Sequence, residues 1–141
     1  MEKKIYKKGY TTGVFDMFHI GHLNILQRAK EQCEELVVGV TTDALCYARK
    51  KKYPIIPQEN RVAIVEAIRV VDRVVLQENM DKVSAVRELG CDVIFVGSDW
   101  QGTDAWNRYE KDLAEFGCDV VYLTHTDGIS SSILRERLNK E

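Results

Sequence analysis

Apolar residues along this chain follow two alternating rhythms. Short unbroken runs, LVVGV at 36–40, DVIFV at 92–96 and DVVYL at 119–123, are bounded by polar or glycine positions, as expected of strands buried on both faces. Between such runs, apolar residues recur three and four apart. Leu23, Ile25, Leu26 and Ala29 form one set, and Val62, Ile64, Val65 and Ile68 another, which is the spacing of a helix face. The pattern predicts strands over 6–14, 36–40, 73–76, 92–96 and 119–123. It predicts helices over 20–33, 44–48, 59–70, 81–89, 106–116 and 130–139. Gly90 and Gly117 stand where helix C-caps place glycine. A basic loop, 49–53, and the only two prolines, Pro54 and Pro57, separate the second and third helices.

Strand–helix alternation with nearly continuous apolar strands implies an α/β fold. We expect a Rossmann-like, doubly wound, five-stranded parallel sheet with helices on both faces, built as one domain over 1–141. Sheets of this kind bind ligands outside the carboxyl ends of their strands. Polar and aromatic residues follow the predicted strands at that edge: Phe15-Asp16, Thr41-Thr42-Asp43, Ser98-Asp99-Trp100 and Thr124-His125-Thr126.

Composition narrows the partners. With 45% hydrophobic and 30% charged residues the chain is ordinary for a soluble domain. A net charge of -2 argues against nucleic acid as the main partner. Four cysteines (Cys33, Cys46, Cys91 and Cys118) are scattered without a CxxC pair, a reduced pattern that points to the cytoplasm rather than to a disulfide frame or a zinc site. No apolar run approaches the length of a membrane span, and the basic start MEKKIYKKGY lacks the apolar core of a secretory signal.

The chemistry concentrates in TTGVFDMFHIGH, residues 11–22. It reads as a strand end, a turn through Gly13 and Asp16, and a helix start with His19 and His22 three apart, which places both imidazoles together. The unpartnered first-turn N–H groups and the helix dipole favour an anion, so a phosphate is the expected guest. Gly21 costs the helix about 1 kcal/mol relative to alanine, and its missing side chain admits a ligand. No third ligand stands at motif spacing from the histidines, so a phosphate is favoured over zinc and no protein metal site is expected.

These residues resemble the HxGH signature of the nucleotidyltransferase superfamily, and GVFDMFHIGHLNIL resembles its cytidylyltransferase branch. KKKYPIIPQENR, GSDWQG and HTDGISSS extend the likeness, in order and spacing, to the glycerol-3-phosphate cytidylyltransferase group over nearly the whole chain. The resemblance implies transfer of a cytidylyl group from CTP to a small phosphorylated alcohol, with Mg²⁺ on the triphosphate and a homodimeric assembly. It implies catalytic roles for His19, His22, Lys50, Lys52 and Arg69, with a contact to the acceptor for Lys50 as well. Gly13, Val14, Phe15, Asp16 and Gly21 would shape the nucleotide seat. Asp99 and Trp100 would meet the cytosine and ribose, and Thr126, Gly128, Ile129 and Ser130 further phosphate oxygens. Arg61, Asp43 and His125 would complete the substrate side.

Arg69 and Arg61 are expected on one helix, with a salt bridge among Arg69, Asp72 and Arg73 as the competing account of that cluster. One departure stands out: the family's arginine before the threonine is here His125, which is not permanently charged. It leaves phosphoethanolamine or phosphocholine open as acceptors, beside glycerol 3-phosphate. An adenylyltransferase of the same superfamily is a further reading, and a nucleotide-binding regulatory domain is the non-enzymatic one.

Overall fold

Five strands pair into one wholly parallel sheet in the order β3-β2-β1-β4-β5. They are β1 (Tyr6–Gly13), β2 (Cys33–Thr41), β3 (Arg73–Gln77), β4 (Val93–Gly97) and β5 (Asp119–Leu123). The helices are α1 (Ile20–Glu31), α2 (Asp43–Lys50), α3 (Gln58–Glu66), α4 (Lys82–Leu89), α5 (Asp104–Ala114) and α6 (Ser131–Lys140), with a single 3₁₀ turn, Ser98–Trp100, after β4. The computed structural model describes residues 6–124 and 131–140.

The unbroken apolar strands have a simple cause: each is covered twice. Leu36, Val38 and Val40 point to the face that holds Leu26 and Ala29 of α1 and Val65 of α3. Val37, Tyr10 and Ile94 point to the opposite face, against Val86 of α4 and Trp106 and Leu113 of α5. Winding reverses at β1, whose neighbours are β2 and β4, and the crevice expected at such a reversal lies over the carboxyl ends of β1 and β4. Among the described residues no helix is long and apolar enough to cross a membrane.

Several boundaries differ from the sequence pattern, among them the start of β2 at Cys33 and α5 at Asp104–Ala114, and three have a clear tertiary reason. Helix α1 stops at Glu31 because Cys33 already pairs with Tyr6 across the sheet. Helix α3 ends at Glu66 rather than 70, since the following chain must reach β2. There Asp72 N–H donates to Leu36 O at 3.0 Å and the Asp72 carboxylate accepts from Leu36 N–H at 2.7 Å. Arg69 therefore lies beyond the helix, and Asp72 pairs with Lys30 at 2.5 Å rather than with Arg69 or Arg73. Helix α2 runs on to Lys50, capped by the Thr42 hydroxyl at 3.1 Å and closed by Lys51 at φ 58°. The first two residues of the expected basic loop, Arg49 and Lys50, are thus helix.

Close packing at the sheet sets one strict size limit. A Cβ on Gly39 would stand 2.5 Å from the Tyr10 hydroxyl oxygen and 3.1 Å from Thr12 Cγ2. Gly39→Ala is expected to lower unfolding stability by about 1–3 kcal/mol, the usual range for overpacking. In a Tyr10→Phe background the same change should cost less, because the nearest clashing atom is gone; urea titrations of the four proteins measure both.

Candidate active site

The loop between β1 and α1 is held in an unfavourable backbone shape. Phe15 and Met17 have φ of 55° and 49°, a left-handed region that costs side-chain-bearing residues about 1 kcal/mol or more each. The strain is held by packing: the Phe15 ring is buried and meets His22 edge-on, with centroids 5.4 Å apart. Gly13 is required beneath it, since a Cβ there would stand 3.0 Å from that ring.

The two histidines cap α1 reciprocally. His19 is the N-cap residue, in extended geometry, and its Nδ1 accepts from Gly21 N–H at 3.1 Å. His22 Nδ1 reaches back to accept from His19 N–H at 3.2 Å. The rings stack with centroids 3.9 Å apart and 22° between planes. One first-turn N–H group expected to await a phosphate, that of Gly21, is therefore already used, as is the N-cap N–H of His19, both by the imidazoles themselves. The consequence is chemical. With each Nδ1 lone pair engaged, the neutral ring carries its proton on Nε2. His19 Nε2 is shut off from solvent without a hydrogen-bond partner among the described residues. Burial pushes the His22 pKa down to about 4, helped by the adjacent His19 and opposed by Asp16, and burial lowers that of His19. The pair is neutral at pH 7 and offers donors rather than charges.

Beside the pair opens a cavity of about 580 Å³. Gly13, Val14, Phe15, His19, Gly21 and His22 line one side, and Trp100 stands at the end of β4. Thr12, Thr41 and Gln77 form strand-end polar positions, while Arg49, Met80, Lys82, Trp106 and Tyr109 line the side toward α4 and α5. No aspartate or glutamate lines the cavity among the described residues.

Several expected site residues do other work. Arg61 is 1% exposed. It donates to Ile56 O through Nε (2.9 Å), to Val14 O and Thr41 O through Nη1 (2.7 and 2.8 Å), and to Asp43 through Nη2 (2.6 Å). It is a structural hub. Asp43 completes that hub, accepting from Gln58 N–H at 3.2 Å, and does not line the cavity. Asp16 is buried, and its carboxylate accepts from Ile55 and Ile56 N–H at 2.9 and 2.8 Å. It anchors the loop before α3 instead of lining the nucleotide seat.

Lys50, Lys52 and Arg69 are exposed and outside the cavity wall, as is Asp99, next to the Trp100 that does line it. His125, Thr126, Gly128, Ile129 and Ser130 lie outside the described residues. Thr124, just before them, is held by Arg28 of α1, which donates to its carbonyl at 2.6 Å.

The sequence reading missed Arg49 and Lys82. Arg49, exposed like Lys50, sits in the same basic run, and only the extent of α2 decides which of them borders the cavity. Lys82, second in a helix expected over 81–89, carries no sequence signal of its own.

Among the described residues no group of three His, Cys, Asp or Glu side chains could hold a metal ion. The side chains described here do not by themselves make an Mg²⁺ site.

Comparison with known proteins adds a family. The cytidylyltransferase-like family profile matches residues 10–137. The chain is 36% identical over 133 residues to glycerol-3-phosphate cytidylyltransferase of Bacillus subtilis, covering 94% of this chain and 97% of that one. It is 36% identical over 110 residues to FAD synthase of Archaeoglobus fulgidus, at 78% and 79% coverage. A crystal structure of the lipopolysaccharide core biosynthesis protein from Thermoplasma volcanium superposes with a TM-score of 0.70 at 30% identity, covering 86% of this chain and 97% of that one.

Two outcomes follow from this geometry. Arg61→Met would leave the Asp43 carboxylate, the strand-end carbonyls of Val14 and Thr41 and the loop carbonyl of Ile56 without this donor. We expect a loss of about 3 kcal/mol or more in urea unfolding, whereas a mere phosphate ligand would lose activity with stability intact. For His22 the unfolded chain binds a proton near pH 6.5, and the folded chain only near pH 4. Its contribution to stability is therefore complete above pH 6.5 and declines as the pH falls from there toward 4. Unfolding midpoints across that window should slope less in His22→Gln than in the wild type.

Proposed function

Because the chain belongs to the cytidylyltransferase-like family, we propose that it transfers a cytidylyl group from CTP to glycerol 3-phosphate, giving CDP-glycerol and pyrophosphate. The observation that carries this reading is the reciprocal histidine cap. Both Nδ1 atoms accept backbone N–H groups, so both neutral rings carry their proton on Nε2, and both rings line the cavity.

The reaction needs no protein nucleophile. An oxygen of the acceptor phosphate, already anionic at pH 7, attacks the α-phosphorus of CTP. The bond from that phosphorus to the oxygen bridging toward the β-phosphorus breaks, and pyrophosphate leaves with the electron pair. Catalysis then consists of alignment and of stabilising the charge that builds on the leaving group. Preorganised donors serve this better than cations that must first shed water. His19 and His22 are such donors: the stacked rings are fixed by the cap, and the strained Phe15 turn supports them. Trp100, 46% exposed at the cavity edge, offers a ring face to the cytosine. Mg²⁺ would arrive on the triphosphate as part of the substrate, screening its charge.

Glycerol 3-phosphate is favoured over phosphocholine and phosphoethanolamine by the absence of acidic side chains from the described cavity wall. A cationic alcohol would find Arg49 and Lys82 there and no counter-charge. The relative named FAD synthase supports an adenylyl donor less well, because it matches a smaller part of the chain. A homodimer in the cytoplasm, feeding polymer precursors, fits the same reading.

His19→Ala and His22→Ala should each lower turnover about 100-fold or more, the usual loss for one transition-state donor. Pyrophosphate release with CTP and ATP, against glycerol 3-phosphate, phosphocholine and phosphoethanolamine, tests the reading as a whole. CTP with glycerol 3-phosphate is expected to be fastest. A higher rate with ATP would replace the cytidylyl donor, and CTP binding without turnover on any acceptor would make the chain a binding domain.

A further inference from the structure

A second, smaller cavity of about 200 Å³ opens between the edge strand β3 and α4. Gln77 and Lys82 line both cavities and form the partition between them. Their polar atoms are engaged toward the larger one: Lys82 Nζ donates to the Thr12 hydroxyl at 3.2 Å, and Gln77 Oε1 accepts from the Thr41 hydroxyl at 2.7 Å. Behind the partition stand the acidic side chains that the larger cavity lacks, Glu78, Asp81 and Glu88. The Asp81 carboxylate is spent on the N-cap of α4, accepting from Ser84 N–H at 3.0 Å and from the Ser84 hydroxyl at 2.7 Å. Glu78, just after β3, and Glu88, in the last turn of α4, form no salt bridge among the described residues.

Tyr10 turns this acidic rim into a pocket with a floor. It is 2% exposed and lines the smaller cavity, not the larger one. β2 lies between β1 and β3, and a Cβ on Gly39 of β2 would stand 2.5 Å from the Tyr10 hydroxyl oxygen. The phenol therefore crosses β2 where that strand has no side chain and reaches toward β3. Among the described residues its oxygen has no hydrogen-bond partner. It is open to the cavity all the same, since the one sealed and unpartnered side-chain atom there is His19 Nε2. Burial, with Cys91 adding to it, pushes the Tyr10 pKa up to about 12, so the group is a neutral phenol with lone pairs to offer. A buried hydroxyl without a partner is costly, and phenylalanine would fill the same space without that cost.

The chemistry of the walls selects the guest. Two uncompensated carboxylates repel phosphate, so neither nucleotide nor pyrophosphate belongs here. Among the described residues no three His, Cys, Asp or Glu side chains come together to hold a metal ion, so a cation stripped of its water is not served either. Leu76 and Ala85 supply apolar wall, and the volume equals that of about six or seven waters at roughly 30 Å³ each. We propose that this cavity binds a short alkylammonium ion, with its nitrogen donating to the Tyr10 oxygen and Glu78 and Glu88 as counter-charge. An ammonium has donors and no acceptor, which matches a site built from a phenol oxygen and carboxylates. Its methylenes lie against Leu76 and Ala85.

The probe is diaminobutane, titrated calorimetrically into the full chain at fixed ionic strength, with butanediol as its uncharged counterpart. Saturable one-to-one binding with a Kd of about 1 mM or tighter is expected for the diamine, and none for the diol. Tyr10→Phe keeps the ring over Gly39 and removes only the oxygen, while Glu78→Gln and Glu88→Gln remove charge at exposed positions. Each should weaken diamine binding roughly 5- to 10-fold, the worth of a hydrogen bond to a charged group. The urea midpoint of Tyr10→Phe should stand at or above that of the wild type, which separates a lost contact from a lost fold. No saturable binding to the wild type, displacement by Mg²⁺ at equal ionic strength, or an unchanged Kd in Tyr10→Phe or in both glutamate variants would overturn the site. None of these readouts uses turnover, so the result stands or falls apart from the cytidylyl-transfer reading.

Discussion

The Arg61 guanidinium donates to the carbonyls of Val14, Thr41 and Ile56 and to the Asp43 carboxylate, tying together the exit from β1, the end of β2, the start of α2 and the loop before α3. Strand ends expose carbonyls that a neighbouring strand no longer satisfies, and a parallel sheet has many of them at the edge where ligands bind. One planar fork answers two of them, at Val14 and Thr41, and the loop carbonyl of Ile56 as well, which a lysine's point-like ammonium could not do in the same geometry. Asp16 works from the other side of the same loop, accepting from Ile55 and Ile56 N–H. Together they fix the height and spacing of the strand ends over which the cavity opens.

On that platform the β1–α1 turn stores strain and converts it into position. Left-handed Phe15 and Met17 bring the chain back sharply enough for His19 to become an N-cap instead of a first-turn residue. The two imidazoles then take over work that serine, threonine or aspartate does in other helices. This use of Nδ1 decides the tautomer, and the tautomer decides the chemistry. A histidine that titrated near neutrality would alternate between donor and cation, whereas burial lowers the pKa of both members of this half-buried, stacked pair and favours the neutral donor.

The cavity divides by the nature of its donors. Neutral N–H groups stand on the α1 side and full charges, Lys82 and Arg49, on the α4 and α5 side. Charge that develops only during reaction is best met by fixed dipoles, and charge already present on a substrate is best met by cations.

Most of the fold was legible in the residue pattern, because apolar runs buried on both faces and helices with one apolar stripe leave strong periodic signals. Leu36 to Val40 and the α1 stripe needed nothing more. The histidine pair was equally plain, since its spacing is local and the cap it forms spans only four residues. Long-range pairing settled what local spacing did not. Asp16 was expected at the nucleotide seat and Arg61 and Asp43 on the substrate side, since a charged residue near a strand end reads the same whether it faces solvent, substrate or a backbone group. Lys82 carries no local signal, since its burial involves Trp106, 24 positions later in the chain. The sequence alone therefore determined the layers, the strand ends and the twin donors. Only the tertiary structure decided which charges were spent on holding the scaffold and which were left facing the cavity, because a charge's partner is chosen by distance in space and not along the chain.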